Sequence, residues 1–174
     1  MEAARVLPVW AGKEKIVQRI RENDSVILVG ETGSGKTTQV PQFLLQEGIL
    51  PSEGQHLIGI TQPRRVAATS LARRVASELG CADPATLKEK QHNDNLPEWV
   101  GYSVRFDDRT TRHTRIKFLT DGMLIREILG PSPRKRSKAS GNHSKDSVEY
   151  PLKRYAVLII DEAHERSLRT DMVL

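Results

Sequence analysis

Gly30-Glu31-Thr32-Gly33-Ser34-Gly35-Lys36-Thr37 decides the fold of this chain. It fits the phosphate-loop pattern G-x-x-x-x-G-K-[ST] at every fixed position. Ser25-Val26-Ile27-Leu28-Val29 before it is short, apolar and β-branched, and reads as a buried strand. Thr37 to Glu47 after it reads as a helix. A strand feeding a glycine loop and then a helix N-terminus builds an anion site. Backbone N–H groups converge there, and the helix dipole adds partial positive charge. Gly30, Gly33 and Gly35 allow backbone angles and close approach that a Cβ would block. Lys36 can reach the β- and γ-phosphates, and the Thr37 hydroxyl can ligate Mg²⁺. The competing reading is a chance glycine turn, which in a chain this long is about a one-percent event.

Outward from the loop, 174 residues suit one domain with a real hydrophobic core. The composition is ordinary, 37% hydrophobic and 28% charged. The net charge of +5 allows a polyanionic partner, and it equally fits a solvated surface that happens to be basic. Cys81 is the single cysteine, so an intrachain disulfide is excluded and a reducing compartment is the natural home. No apolar run approaches a membrane span. Val6 to Trp10 runs at once into Lys13, Glu14 and Lys15, which is not the pattern of a signal peptide. The expectation is therefore no membrane association.

Residues 1–24 read as a helical lead-in. Ile16, Val17 and Ile20 fall at helical spacing within Gly12–Arg21, and Asn23-Asp24 breaks that helix. Leu57–Thr61 reads as the second strand, and Arg64–Leu79 as a helix opened by Pro63 and stopped by Gly80. Val100–Phe106 and Arg115–Thr120 read as strands, and Asp121 as the cap of a helix over Gly122–Leu129. Residues 81–99 and 132–149 read as flexible insertions. The second is rich in Ser, Lys, Arg and Pro and too polar to offset its ordering entropy. Its Arg134-Lys135-Arg136 with Lys138 is either a nuclear-import signal or a solvated basic loop. Tyr155–Ile160 is the most apolar run and reads as a central strand buried on both faces. Strands alternating with helices predict a three-layer α/β domain with a mostly parallel sheet.

Asp161-Glu162-Ala163-His164 follows that last strand directly. Ligands of parallel sheets gather at the carboxyl ends of strands. If the two strands are neighbours, Asp161 can hold Mg²⁺ through its water shell. Glu162 can then orient and deprotonate the water that attacks the γ-phosphate. Taken alone, the two acids could simply open a helix. His164 either hydrogen-bonds near the γ-phosphate or to a residue that senses it, or is an ordinary helix-face histidine. The other histidines show no metal-ligand spacing.

Four ordered stretches carry a family resemblance: Gly30–Thr37, Thr61-Gln62-Pro63-Arg64-Arg65-Val66-Ala67-Ala68, Thr120-Asp121-Gly122-Met123-Leu124 and Asp161–His164. Together they resemble motifs I, Ia, Ib and II of the DEAH-box RNA helicases of superfamily 2. Val100–Asp108 and Glu165-Arg166-Ser167 resemble that family too. The resemblance implies a P-loop NTPase fold, with residues 25–174 as a RecA-like ATP-binding lobe that is C-terminally incomplete. It implies ATP and Mg²⁺ as cofactors. Gly30, Glu31, Thr32, Gly33, Ser34, Gly35, Lys36, Thr37 and Thr38 would contact nucleotide, Thr37 and Asp161 the metal. Lys36, Asp161, Glu162 and His164 would serve hydrolysis. Arg64, Arg65 and Thr120 would contact the RNA backbone without reading its sequence. For Arg64 and Arg65 the plainer alternative is a solvated helix start. Arg74 matches the family's arginine against the adenine, and is equally readable as a surface arginine.

The family's Ser-Ala-Thr motif, its second lobe and the arginine fingers on it would lie beyond Leu174. Loss of such a finger typically costs about 10³–10⁵ in rate, so this stretch alone is expected to hydrolyse ATP barely. Two further readings stay open: a non-catalytic nucleotide- or RNA-binding fragment, and a DNA-directed or signalling P-loop ATPase. An activating protein partner and nuclear or nucleolar residence are expectations of the same kind, with the cytoplasm as the alternative.

Overall fold

A computed structural model describes residues 6–51, 56–87, 95–129, 151–165 and 168–173. The basic stretch 132–149, with its import-signal reading, lies outside them. Strands β1 (Leu57–Gln62), β2 (Val100–Val104), β3 (Asp107–Arg109), β4 (Ile116–Thr120) and β5 (Tyr155–Ile160) form one sheet in the order β3-β2-β4-β1-β5. The pairs β2–β4, β4–β1 and β1–β5 are parallel, and β2–β3 is antiparallel.

Register and alternation assign the two faces. Val100, Ile116, Ile58 and Val157 share one row, and Tyr102, Phe118, Ile60 and Ile159 the next row on the same face. These rows join a single core with Val40, Phe43 and Leu44 of α2 (Lys36–Gln46) and Ala68, Ala72, Val75 and Ala76 of α3 (Arg65–Leu79). Alanines four apart form a stripe of low bulk, which lets α3 lie close to the sheet. The opposite face carries Lys117 and Leu119. There the Lys117 ammonium pairs with Glu127 of α4 (Asp121–Leu129), and the Tyr155 hydroxyl donates to the same carboxylate at 2.6 Å. Burial and the Glu127 charge push the Tyr155 phenol well above its usual range. Helices on both faces make the expected three layers.

A 3₁₀ turn over Pro8–Gly12 leads into α1 (Lys13–Glu22), whose Val17 is buried. Lys13 ties that helix to Glu47, just past α2, at 2.7 Å. Gly80 ends α3 in the left-handed region at φ 67°. Asp121 opens α4, and its Oδ2 accepts from Thr170 of α5 (Leu168–Val173) at 2.7 Å. Among the described residues no helix is long and apolar enough to cross a membrane.

Two expectations about strands need correction. Ser25–Val29 joins no ladder, and its side chains are exposed, Ile27 at 93%. Tyr155–Ile160 does form a strand, but β5 stands at the sheet edge and is half-buried. The reason is common to both. The strands with neighbours on both sides are β2, β4 and β1, and β5 has β1 alone. Among the described residues, nothing hydrogen-bonds to the outer edge of β5, and Ser25–Val29 does not take that place. Apolar, β-branched composition supplies strand propensity, and burial still needs a neighbour.

Candidate functional site

The phosphate-loop pattern is set by its glycines and by the lead-in behind it. Gly33 and Gly35 sit at φ 80° and 93°, a region that L side chains rarely adopt. Gly35 is also the residue from which α2 starts. A Cβ there would stand 2.8 Å from Leu7 Cδ1 and 3.2 Å from Val9 Cγ1. The Val9 N–H donates to the Ser34 carbonyl at 3.1 Å. The lead-in is thus the back wall of the loop. Gly30 has ordinary φ, with Lys36 Cδ 3.3 Å from where its Cβ would be. Ser34 closes the loop on itself, its N–H and hydroxyl both donating to the Glu31 carbonyl, at 3.2 and 2.7 Å. Glu31, Thr32 and Gly33 form the exposed tip.

Lys36 Nζ donates to the carbonyls of Gly30 and Glu31 at 2.6 and 2.8 Å and to Ser34 Oγ at 3.3 Å. Its partners are neutral dipoles, so among the described residues no carboxylate cancels its charge. That charge stands at the first turn of α2, where backbone N–H groups lack helical partners. Thr38 is buried one turn in, its hydroxyl 3.4 Å from the Gly35 carbonyl.

The first of the two acids meets this loop across most of the chain. The Thr37 hydroxyl donates to Asp161 Oδ2 at 2.6 Å, over 124 residues of separation. Asp161 Oδ1 accepts the Glu162 N–H at 3.0 Å. Glu162 holds φ 52°, a strained angle for a residue with a Cβ, of the kind found at functional sites. Its Oε2 lies 3.4 Å from His164 Nε2 on the short 3₁₀ turn Ala163–Glu165. His164 is therefore on neither a long helix nor a loop of its own, and its ring is largely exposed.

Arg64, Arg65 and Thr120 gather at the carboxyl ends of neighbouring strands. Gln62 and Thr120 are register partners at the tips of β1 and β4. Arg64 and Arg65 follow β1 and are exposed, with Arg64 Nη2 3.2 Å from Glu165 Oε1. Arg74 lies farther along α3, its guanidinium 3.0 Å from Glu78 Oε1 and more than half exposed.

Several partners were not read from the sequence. Gln62, 3% exposed, donates its amide to Asp161 Oδ2 at 2.5 Å. Glu78 is a hub: its Oε2 accepts from Gln39 and Gln42, each at 2.7 Å, while Oε1 accepts from Arg74. Burial pushes the Glu78 carboxyl up, but the donors Arg74, Gln42 and Gln39 outweigh it and hold it below the usual range. The Trp10 indole N–H donates to Gln39 Oε1 at 3.1 Å, bringing the lead-in into the same network. The signal was there: two glutamines three apart beside Val40, Phe43 and Leu44 are buried amides that need partners.

Comparison with known proteins follows the same lines. A DEAD/DEAH box helicase family profile matches residues 11–170. The chain is 43% identical, over its whole length, to the probable ATP-dependent RNA helicase DHR2 of Saccharomyces cerevisiae, of which it covers 19%. It is 44% identical over 99% of its length to the pre-mRNA-splicing factor ATP-dependent RNA helicase DEAH10 of Arabidopsis thaliana, covering 20% of that protein. Against the ATP-dependent RNA helicase DHX33 of Homo sapiens it is 43% identical over 97% of its length, covering 19%. It thus spans about a fifth of these relatives. With the profile running across nearly all of its residues, the chain belongs to the DEAD/DEAH box helicase family.

Proposed function

We propose that this chain is the ATP-binding first lobe of an ATP-dependent RNA helicase, coupling ATP hydrolysis to RNA unwinding or remodelling of RNA–protein complexes. The observation that carries the reading is the 2.6 Å contact of Thr37 with Asp161. It brings the start of the phosphate-loop helix and the first acid of Asp-Glu-Ala-His to one point.

The residues there fit Mg²⁺. A hydroxyl and a carboxylate are hard oxygen donors, and this ion is typically held by one or two carboxylates plus substrate phosphates. Among the described residues no cluster of three or more His, Cys, Asp or Glu side chains offers an alternative metal cage. Thr37 and Asp161 would hold the ion, which when bound neutralises charge on the transferring phosphoryl group. Residues Gly30 to Thr38 cradle the phosphates with backbone N–H groups, and Lys36 adds a cation that, among the described residues, no acid has claimed. Glu162, strained in place beside Asp161, orients the attacking water and accepts its proton. His164, within reach of the Glu162 carboxylate, sets that side chain's position.

Arg64, Arg65 and Thr120 hold the RNA backbone. Support comes from two exposed guanidinium groups and a buried threonine at the carboxyl end of the sheet, groups that pair with phosphate without reading bases. Arg64's partner Glu165 is a surface ion pair of about 0–1 kcal/mol, which a phosphate can replace. Arg74 offers an open guanidinium face for the adenine, with Glu78 fixing its edge. The reading extends to nuclear RNA processing and an activating protein partner. The description of one relative as a pre-mRNA-splicing factor supports the first.

The test is ATPase activity, with and without poly-U RNA, of the two-lobed helicase that carries this lobe, comparing wild type with Lys36→Ala and Glu162→Gln. Both variants are expected to lose at least about tenfold in turnover, Glu162→Gln while still binding nucleotide. If neither substitution lowers turnover, the site is wrongly assigned.

A further inference from the structure

Asp161 is oriented by three donors from three places. Thr37 on α2 and Gln62 on β1 both donate to Oδ2, and the Glu162 backbone donates to Oδ1. Of these, only Gln62 belongs to the stretch that carries the RNA-facing arginines. It ends β1, Pro63 follows with its fixed φ, and Arg64 and Arg65 come next. Thr120 is its register partner on β4. The link is doubled on the surface, where Arg64 pairs with Glu165, on the same 3₁₀ turn as His164.

A buried strand end in an α/β sheet is ordinarily apolar, and a buried amide is unfavourable unless it finds a partner. At Gln62 the amide's acceptor is the carboxylate of the candidate metal site. Asp161 keeps Thr37 and its own backbone donor without Gln62. The glutamine is therefore not needed merely to satisfy a stranded acid. What it adds is a rigid path of two residues from the Arg64 backbone to Asp161 Oδ2.

We propose that Gln62 is a positioning residue: it fixes Asp161 for the metal and couples backbone contacts at Arg64 and Arg65 to that carboxylate. In the same device the Arg64–Glu165 pair is the contact that an RNA phosphate displaces, releasing the turn after Glu162. This rests on the function proposed above. It extends that function by naming how polynucleotide binding reaches the hydrolytic centre.

The variant is Gln62→Met, which keeps the volume and loses the N–H donor. In the protein, binding of a fluorescent ADP is titrated with Mg²⁺, a readout that needs neither turnover nor RNA. The Mg²⁺ concentration for half-maximal effect is expected to rise about tenfold, the low end of what removing a partner of a ligating group does. The ratio of nucleotide Kd without and with poly-U is measured next. It is expected to fall towards one from the roughly fivefold or more of a coupled pair of sites. Wild-type Mg²⁺ dependence together with a wild-type ratio overturns the proposal. Should Gln62→Met melt before it can be measured, Glu165→Gln carries the test. Freed of its acid, Arg64 should bind poly-U about threefold tighter in nucleotide-free protein, and no change overturns the displacement step. Failure of the RNA reading itself shows separately, as wild-type RNA affinity in Arg64→Ala/Arg65→Ala, whatever the Mg²⁺ titration gives.

Discussion

Replacing Glu78 with Ala should destabilise the fold well out of proportion to an exposed ion pair. The carboxylate accepts from Gln39 and Gln42 at 2.7 Å each and from Arg74 at 3.0 Å. Arg74 is more than half exposed and can return to water, so its share is below about 1 kcal/mol. The glutamines cannot do so: Gln39 is 1% exposed and Gln42 6%. Each amide nitrogen keeps one acceptor, Thr38 Oγ1 for Gln39 and the Thr38 carbonyl for Gln42, but the N–H that pointed at Glu78 is left unpaired, at about 1–3 kcal/mol each. The Glu78 side chain is itself 20% exposed, so water can enter and recover part of one bond. The net is about 2–4 kcal/mol, or a fall in Tm of roughly 5–15 °C for a chain of this size. Thermal melting followed by circular dichroism reads it directly. The acid limb gives a second check. The Glu78 carboxyl is held below its usual range in the fold, so its contribution is present above the unfolded value of about 4.3 and is lost as pH falls through the folded one. The gap between wild type and variant should therefore be full at neutral pH and shrink as pH falls below the unfolded value. A gap of under about 0.5 kcal/mol at pH 7, or one that widens in acid, would refute the hub.

Gly35→Ala forces a Cβ into the left-handed region, about 1–2 kcal/mol of strain, and against Leu7 Cδ1 at 2.8 Å. The loop must shift at the start of α2, and nucleotide affinity is expected to fall at least about tenfold by fluorescence titration; unchanged affinity would show that the lead-in does not shape the loop. Arg64→Ala/Arg65→Ala should lower the slope of log affinity for poly-U against log salt by about 1.4, two single-strand contacts' worth. An unchanged slope would remove both arginines from the RNA contact.

How much of this was legible in the sequence depends on whether the signal was local. The glycine loop, the apolar run Tyr155–Ile160 and the Gly80 stop are written in adjacent residues, and the strand Tyr155–Ile160 and the helix ended by Gly80 begin and end within a residue or two of their expected places. Asp161 and Thr37 were expected to meet if Ser25–Val29 and Tyr155–Ile160 were neighbouring strands; they do meet, although Ser25–Val29 joins no ladder and the two are not paired. The edge position of β5 was not legible, because composition reports what a strand could bury and not which neighbour it has. The unpaired state of Ser25–Val29 escaped for the same reason. Gln62, Glu78 and Glu165 escaped because a polar residue's partner across the fold leaves no periodicity; Gln62 and Asp161 are 99 residues apart. The lead-in was separated from the domain on sequence, yet Val9 and Trp10 bond to Ser34 and Gln39.

The most direct measurement is a crystal structure of the protein with Mg²⁺ and a non-hydrolysable ATP analogue. The account predicts the metal at about 2.0–2.1 Å from Thr37 Oγ1, with Asp161 reached directly or through one water. A metal bound to the triphosphate but remote from either side chain would contradict it.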